Sequence, residues 1–440
     1  MRKDTVAIER LAYGGSGFGR INGKACFVPF TAPGDVVTVR IRRETGSYAE
    51  AELSELLEIS PLRVTPPCPH FGRCGGCHWQ HLGYQDQVAA KEEIYAQALW
   101  RLARVERELL LPPLPAHEPW GYRSRIQLKV DSGGGELLIG FFAPGSHCVV
   151  DLPGGCAVAH PSLNRALERL RPVVAEFPHR EHLPQIDLAV GDDGATVLTL
   201  HYRGEEPQRA VEFWRSREKQ LAPLAGAFLR RDRKGAVTKI FGEGMLTYAL
   251  SPPTVDGVGE ELRLGFTAGS FSQVNYRQNR LLVQTALEWG KLSGGERVLD
   301  LCCGNGNFSI PFARQVREVI GLETGEGSVA DARRNAALYA LKHLRFELRD
   351  AVAGLHRFIA AGEQFDLVLL DPPRSGAVEM AKLIGSVGAA KIIYVSCDPQ
   401  TLGRDLAILQ KGGYRVAGSR VVEMFPQTYH MESITLLERV

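Results

Sequence analysis

The pattern of apolar and polar positions changes character twice along the chain. Over residues 1–58 the apolar runs are short, β-branched and aromatic: Ala25-Cys-Phe-Val-Pro-Phe and Val36-Val-Thr-Val-Arg-Ile. Gly14, Gly15, Gly17, Gly19 and Gly23, then Pro33-Gly34, punctuate them. Short strands between turn residues predict a small all-β barrel. Ser60-Pro-Leu-Arg-Val-Thr-Pro-Pro, with prolines that break any regular element, predicts a linker. A helix is expected around 85–104, stopped by the proline-rich 112–119. From 121 to about 262, strand patterns dominate: Arg125-Ile-Gln-Leu-Lys-Val, Leu137-Leu-Ile-Gly-Phe-Phe, Ala195-Thr-Val-Leu-Thr-Leu and Gly226-Ala-Phe-Leu. Helical patterns near 161–176 and 205–221 interrupt them, so a mixed α+β domain is expected. Beyond 263 helix and strand alternate. A helix is expected over Asn275–Trp289, and buried strands at Arg297-Val-Leu-Asp-Leu, Glu318-Val-Ile-Gly-Leu, Phe365-Asp-Leu-Val-Leu-Leu and Lys391-Ile-Ile-Tyr-Val-Ser. That alternation predicts a doubly wound parallel α/β sheet. The expected domains are 1–58, 59–262 and 263–440.

Composition narrows the class without naming a function. At 440 residues, with 44% hydrophobic and 23% charged positions, the chain is an ordinary multidomain globular protein. Nine cysteines are too few for a disulfide scaffold. No apolar run approaches membrane-spanning length, and Met1-Arg-Lys-Asp-Thr-Val-Ala-Ile lacks an apolar signal core, so a cytoplasmic location without a membrane partner is expected. The net charge of +2 does not announce a nucleic-acid partner. Residues 1–43 do carry eight basic against three acidic side chains, but Glu44, Glu50, Glu52, Glu55 and Glu58 follow and cancel the excess. A basic front could meet phosphate; a solvated charged face is the plainer reading.

The chemistry concentrates in five motifs. In Val298-Leu-Asp-Leu-Cys-Cys-Gly-Asn-Gly-Asn-Phe, a strand runs into a Gly-X-Gly turn that opens a helix. Gly304 and Gly306 permit close approach of a ligand, and Glu323, ending the next strand, can accept hydrogen bonds from ribose hydroxyls. Asp350 is expected to end a third strand. Leu369-Leu-Asp-Pro-Pro-Arg sets Asp371 at a strand's carboxyl end, where α/β sheets bind ligands. Tyr394-Val-Ser-Cys-Asp-Pro sets Cys397 just past another strand, as a candidate thiolate nucleophile. Glu432, in His430-Met-Glu-Ser, is a candidate carboxylate helper. Cys68, Cys74 and Cys77 are spaced Cys-X5-Cys-X2-Cys, and Cys156 can supply a fourth thiolate. Such a group reads as metal or cluster ligands; spacing does not choose between zinc and iron–sulfur. Cys148 competes for the fourth place but sits in a strand-like run.

Taken together, these residues resemble the RNA uracil-5-methyltransferases, in the branch with an N-terminal TRAM domain and a [4Fe–4S] cluster that includes the bacterial 23S ribosomal RNA enzymes. The resemblance spans nearly the whole chain. Leu11-Ala-Tyr-Gly-Gly-Ser-Gly-Phe-Gly-Arg and Pro33-Gly-Asp resemble TRAM, an OB-like RNA-binding barrel. The resemblance implies a Rossmann-like methyltransferase domain at the C-terminus and a cluster-bearing α+β domain in the middle. It implies cluster ligation by Cys68, Cys74, Cys77 and Cys156. S-adenosylmethionine would be bound through Gln273, in Phe271-Ser-Gln-Val-Asn, and through Cys302, Gly304, Gly306, Asn307, Glu323, Asp350 and Asp371. Cys397 would be the nucleophile and Glu432 the base. Cys302 departs from the pattern, standing where an aromatic residue often begins the glycine loop.

The reaction so implied is methylation of uracil C5. Attack of a thiolate on C6 makes C5 nucleophilic, C5 takes the methyl group, and a carboxylate then removes the C5 proton. The target base must leave its stack, and Trp120-Gly-Tyr-Arg-Ser-Arg offers stacking and phosphate contacts, or simply core and rim. The expected partner is RNA: 23S ribosomal RNA first, transfer RNA second, met by a monomeric enzyme. Three other readings compete: an amino-group methyltransferase using Asp-Pro-Pro-Arg, a radical enzyme, and a pure RNA-binding module. The first would not need Cys397. Radical enzymes use closer cysteines, Cys-X3-Cys-X2-Cys. The third leaves the reaction constellation without a purpose.

Overall fold

A computed structural model describes residues 3–231, 237–250 and 261–440. Five strands, β1 (Lys3–Leu11), β2 (Gly17–Ile21), β3 (Lys24–Val28), β4 (Val36–Glu44) and β5 (Tyr48–Glu58), close into a barrel in the order β1-β2-β3-β5-β4. Alternate side chains point inward, and Val6, Ile8, Cys26, Val28, Val37, Val39, Ala49 and Ala51 fill the interior. The charged residues face outward and pair. Arg40 and Arg42 both meet Glu52, Lys24 meets Glu44 at 2.7 Å, and Arg20 meets Glu9 at 3.8 Å. Four of the eight basic residues of that front, Arg20, Lys24, Arg40 and Arg42, thus have carboxylate partners within the barrel.

Helix α1 (Tyr84–Ala103) comes next in the chain and also packs against elements distant in sequence. Its Ile94, Tyr95 and Leu99 share one core with Leu301, Leu370 and Tyr394 of the C-terminal sheet. The middle sheet contains β6 (Arg125–Asp131), β7 (Leu138–Phe142), β8 (Val149–Asp151), β9 (Gln185–Val190), β10 (Thr196–His201), β11 (Leu224–Arg230) and β12 (Val237–Gly242). Their order is β12-β11-β10-β9-β6-β7-β8. Helices α2 (Pro161–Glu176) and α3 (Pro207–Ser216) bury Leu163, Leu167, Leu170 and Trp214 against it. This is the α+β layer the alternating patterns predicted, with β8, β9 and β12 added where the pattern was weak.

The short pair β13 (Met245–Leu250) and β14 (Leu262–Thr267) precedes α4 (Tyr276–Gly290). After it run β15 (Arg297–Leu301), α5 (Ser309–Ala313), β16 (Glu318–Glu323), α6 (Glu326–Leu338), β17 (Leu344–Leu348), α7 (Ala351–Ala360), β18 (Leu367–Leu370), α8 (Val378–Leu383), β19 (Lys391–Ser396), α9 (Pro399–Lys411), β20 (Tyr414–Val422) and β21 (Glu432–Arg439). The sheet order is β17-β16-β15-β18-β19-β21-β20. The first five strands are parallel, as expected; β21 is antiparallel to β19 and β20. Such an antiparallel edge is common on parallel sheets. Leu246, Tyr248, Leu262 and Leu264 belong to the core on this sheet's other face, with Leu282, Val298 and Ile393. Two features therefore differ from the expected division. Residues 59–262 are not one packing unit, since α1 and β13 join the C-terminal core, and the 262/263 boundary cuts β14 after its first residue. Local periodicity cannot report which distant face an element covers. No helix among the described residues is long and apolar enough to cross a membrane.

Candidate active site

Sheet order and register assemble the site. Leu301 pairs with Leu322 on one side and Leu370 on the other. The next residues along these strands, Cys302, Glu323 and Asp371, therefore share one carboxyl edge. At that edge the adjacent strands β15 and β18 send their connections opposite ways, β15 on to β16 and β18 on to β19, which opens the crevice where such sheets bind ligands. Ser396 of β19 pairs with Ser433 of β21. Because β21 runs the other way, its first residue, Glu432, comes to lie beside Cys397 at that same edge.

The glycine turn and its partners form one half of the site. Gly304 and Gly306 have φ of +55° and +89°. A Cβ on Gly306 would lie 2.9 Å from Ile310 Cδ1, whereas one on Gly304 would meet no protein atom, so the turn is closed inward and open outward. Glu323 is held by two backbone donors: Gly304 N at 3.1 Å and Gly325 N at 2.6 Å. Cys302 adopts φ +66°, a left-handed conformation that costs a residue with a Cβ and is typical of ligand edges. Burial pushes its thiol up to about 12, and the carboxylates of Asp371 and Glu323 add to this. Asp300, buried in β15, is pushed up to about 7 by burial, against the donated hydrogen bond of Ser309; its Oδ1 meets no hydrogen-bond partner among the described residues. Gln273 is buried between β14 and α4, its backbone carbonyl accepting from Ser124 Oγ at 3.4 Å.

Two expected ligand residues are otherwise engaged. The Asn307 amide exchanges hydrogen bonds with Asn279 at 2.8 and 2.9 Å and accepts from the Tyr248 hydroxyl at 3.1 Å. It ties the glycine turn to α4 and β13. Asp350 lies two residues past the end of β17 and is the N-cap of α7, accepting from Ala353 N at 3.0 Å.

The second half carries the reactive groups. Cys397 is half-buried, and burial, followed by the charge of Glu432, pushes its thiol up to about 12; Arg374 opposes the shift. Glu432 is fully buried and raised well above the usual carboxylate range by burial and by Asp371, again with Arg374 opposing. Burial, with Asp300 and Glu323, brings Asp371 up to about 7. Burial and the same arginine lower His430 to about 4, so its imidazole is neutral. Arg374 stands in the quoted Asp-Pro-Pro-Arg motif, yet sequence reasoning gave it no role; its place three residues after Asp371 was the available signal.

A separate cavity of about 240 Å³ is lined by Cys68, Cys74, Cys77 and Cys156, with Phe71, Arg123 and Phe142 among its walls. Cys148 is exposed and lies outside it. Burial pushes the thiols of Cys74 and Cys77 up to about 11 and about 12, and that of Cys156 upward. Among the described residues no three His, Cys, Asp or Glu side chains are arranged to hold a metal ion. The four thiols line one shared space. Four cysteine thiolates are a donor set that either zinc or an iron–sulfur cluster accepts.

Comparison with known proteins gives the family. Residues 83–440 match the family described as tRNA (Uracil-5-)-methyltransferase, and residues 3–54 match the TRAM domain. The chain belongs to the tRNA (uracil-5-)-methyltransferase family. The 23S rRNA (uracil(1939)-C(5))-methyltransferase RlmD of Azoarcus sp. (strain BH72) is 37% identical over 448 residues, covering 99% of each chain. The enzyme of the same name from Thiobacillus denitrificans is also 37% identical, again covering 99% of each. Among solved structures, the Pyrococcus abyssi tRNA (uracil-54, C5)-methyltransferase in complex with S-adenosyl-L-homocysteine superposes with a TM-score of 0.72 at 25% identity, covering 98% of this chain and 99% of that one. A TRAM barrel and a Rossmann-like methyltransferase fold are thereby identified, and the methyl donor of this uracil-5-methyltransferase is S-adenosylmethionine.

Proposed function

We propose that this uracil-5-methyltransferase modifies 23S ribosomal RNA, at the position equivalent to uracil 1939 of its full-length relatives, through a covalent bond between Cys397 and uracil C6. The observation that carries the mechanism is the meeting of Cys397 and Glu432 across the β19–β21 register, at the edge that also holds Asp371 and the glycine turn. The Cys397 thiolate attacks C6, and the electrons of the C5=C6 bond move to C5 and O4. C5 then takes the methyl group, whose bonding pair stays with the donor's sulfur. Glu432 accepts the C5 proton, the C5=C6 bond re-forms, and the bond to Cys397 breaks. A carboxylate whose proton affinity is raised by burial is a stronger base once ionised, which suits it to this step.

S-adenosylmethionine supplies an electrophilic methyl group. Gln273, Cys302, Gly304, Gly306, Glu323, Asp350 and Asp371 would hold it. Glu323 is already oriented by two backbone donors, and the outer side of Gly304 is open. Asn307 supports the turn from behind. Cys68, Cys74, Cys77 and Cys156 would hold a [4Fe–4S] cluster, whose contribution is to fix the loop 68–77 against the middle sheet. The barrel 1–58 would bind RNA, the middle sheet would contact it, and the C-terminal domain would perform the reaction. The enzyme is read as a monomer that acts on ribosomal RNA in the cytoplasm. The test is a map of 5-methyluridine in ribosomal and transfer RNA from a strain lacking the gene. Loss at one 23S position, restored by the wild type and not by Cys397→Ala, supports the reading. Loss at a transfer-RNA position instead overturns the substrate.

A further inference from the structure

The barrel's first turn reaches into the reaction site. Ala12 to Ser16 form a tight turn, with Ala12 N donating to Ser16 O at 2.8 Å and Gly15 N to Ala12 O at 3.1 Å. Four contacts pin it to parts of the chain that carry the chemistry. The Trp79 indole, two residues past Cys77, donates to Gly15 O at 2.8 Å. Gly15, at φ +94°, passes so close to Tyr429 that a Cβ there would lie 2.8 Å from its ring. Tyr13 stands edge-on to Tyr429, with ring centroids 6.2 Å apart, and its hydroxyl donates to Asp398 Oδ2. Asp398 follows Cys397 directly, and its other oxygen caps α9, accepting from Gln400 N at 2.8 Å and Thr401 N at 3.1 Å. Tyr13 is 42% exposed, so burial does not explain its presence.

We infer that Tyr13 is a positioning residue for the methyl-transfer reaction: through Asp398 it fixes the nucleophile loop, so that the RNA-binding barrel completes the reaction site. This rests on the proposed role of Cys397. The charged groups facing that thiol are Glu432, Asp371, Asp398 and Arg374. Three are carboxylates that disfavour the thiolate. The Tyr13 hydroxyl is the only uncharged donor that meets one of them from another domain among the described residues. Removing it leaves the Asp398 carboxylate less compensated beside the thiol and frees the loop.

The test uses the full-length protein and a ribosomal RNA fragment with 5-fluorouridine at the target position. That base has no C5 proton to lose, so the adduct accumulates and its rate of formation can be read. Tyr13→Phe keeps the ring contact with Tyr429 and should slow adduct formation about tenfold, the scale of one lost hydrogen bond to a charged group. The midpoint of its pH–rate profile should move upward, while equilibrium RNA affinity, read in a Cys397→Ala background, stays unchanged. In an Asp398→Asn background, where the cap on α9 survives, Tyr13→Phe should slow the reaction no further. Weakened RNA binding with an unchanged adduct rate, or equal slowing in both backgrounds, would overturn the inference. If the otherwise wild-type protein forms no adduct that depends on Cys397, the proposed nucleophile itself is wrong and the inference falls with it.

Discussion

The reaction edge and the cysteine cavity use the same side chain under similar burial, and their thiols are pushed up alike: Cys397 to about 12, Cys74 to about 11, Cys77 to about 12. What differs is the company. Around Cys397 stand carboxylates and one opposing arginine, groups able to accept a proton and to steady an anion. Around Cys74 and Cys77 the nearest titrating groups are other thiols. A buried thiol is inert by default. On the proposed roles, Arg374 and a nearby carboxylate base would suit Cys397 to act as a nucleophile, whereas three further thiols would suit Cys74 and Cys77 to act as ligands.

The largest expected effect breaks the reaction edge. Cys397→Ala should lower methyl transfer at least about 10³-fold and abolish the covalent RNA complex, the consequence of losing a nucleophile. Glu432→Gln should instead accumulate that complex, stable in denaturing gels and carrying labelled methyl. If Glu432→Gln turns over normally, Asp371 becomes the candidate base.

The cavity should respond in the opposite way. Serine at Cys68, Cys74, Cys77 or Cys156 should remove iron from protein prepared without air and lower Tm by roughly 5 °C or more, since a ligand bound only by the folded state is lost. Cys148→Ser should keep both. Stoichiometric zinc in colourless wild-type protein would refute the cluster.

pH sharpens the contrast further. With the Cys397 thiol raised, adduct formation should climb up to about tenfold per pH unit through the neutral range, as the thiolate fraction does. Stability should move the other way. Asp300 binds its proton more tightly when folded, at about 7 against an ordinary 3.8. Its contribution is therefore complete below about pH 4 and is lost as pH rises through about 7. Melting curves should show Tm falling from pH 5 to pH 8, and Asp300→Asn should flatten that slope.

The smallest effect concerns the barrel's charges. Since Arg40 and Arg42 already share Glu52, replacing either with alanine should change the slope of log affinity against log salt by less than about one phosphate contact. A larger change would mean that RNA displaces Glu52.

Much of the site was legible because single residues sit at the ends of local patterns. Asp371 and Cys397 follow apolar strands, Glu323 ends one, and Gly304 and Gly306 open a helix. Side-chain direction was not legible. Asn307 lies in the glycine motif yet turns to Asn279, and Asp350 caps α7 two residues beyond its strand. Arg374, Tyr13 and Asp398 were missed as functional groups because their partners lie on other elements, in the case of Tyr13 and Asp398 385 residues apart.

By itself the sequence determined what local periods and spacing can encode. These are the barrel's short strands, the helix–strand alternation after 263, the glycine turn, and a cluster of three cysteines with a distant fourth. Only the tertiary structure decided which of these meet. The strand order β15-β18-β19-β21 and the reversal of β21 bring Glu432 to Cys397. One shared cavity selects Cys156 over Cys148. Packing carries α1 onto the C-terminal sheet and the turn at Tyr13 onto the nucleophile loop. The reason is physical. A period of 2 or 3.6 states that a face must be buried, but the face that covers it is chosen by the joint burial of all elements.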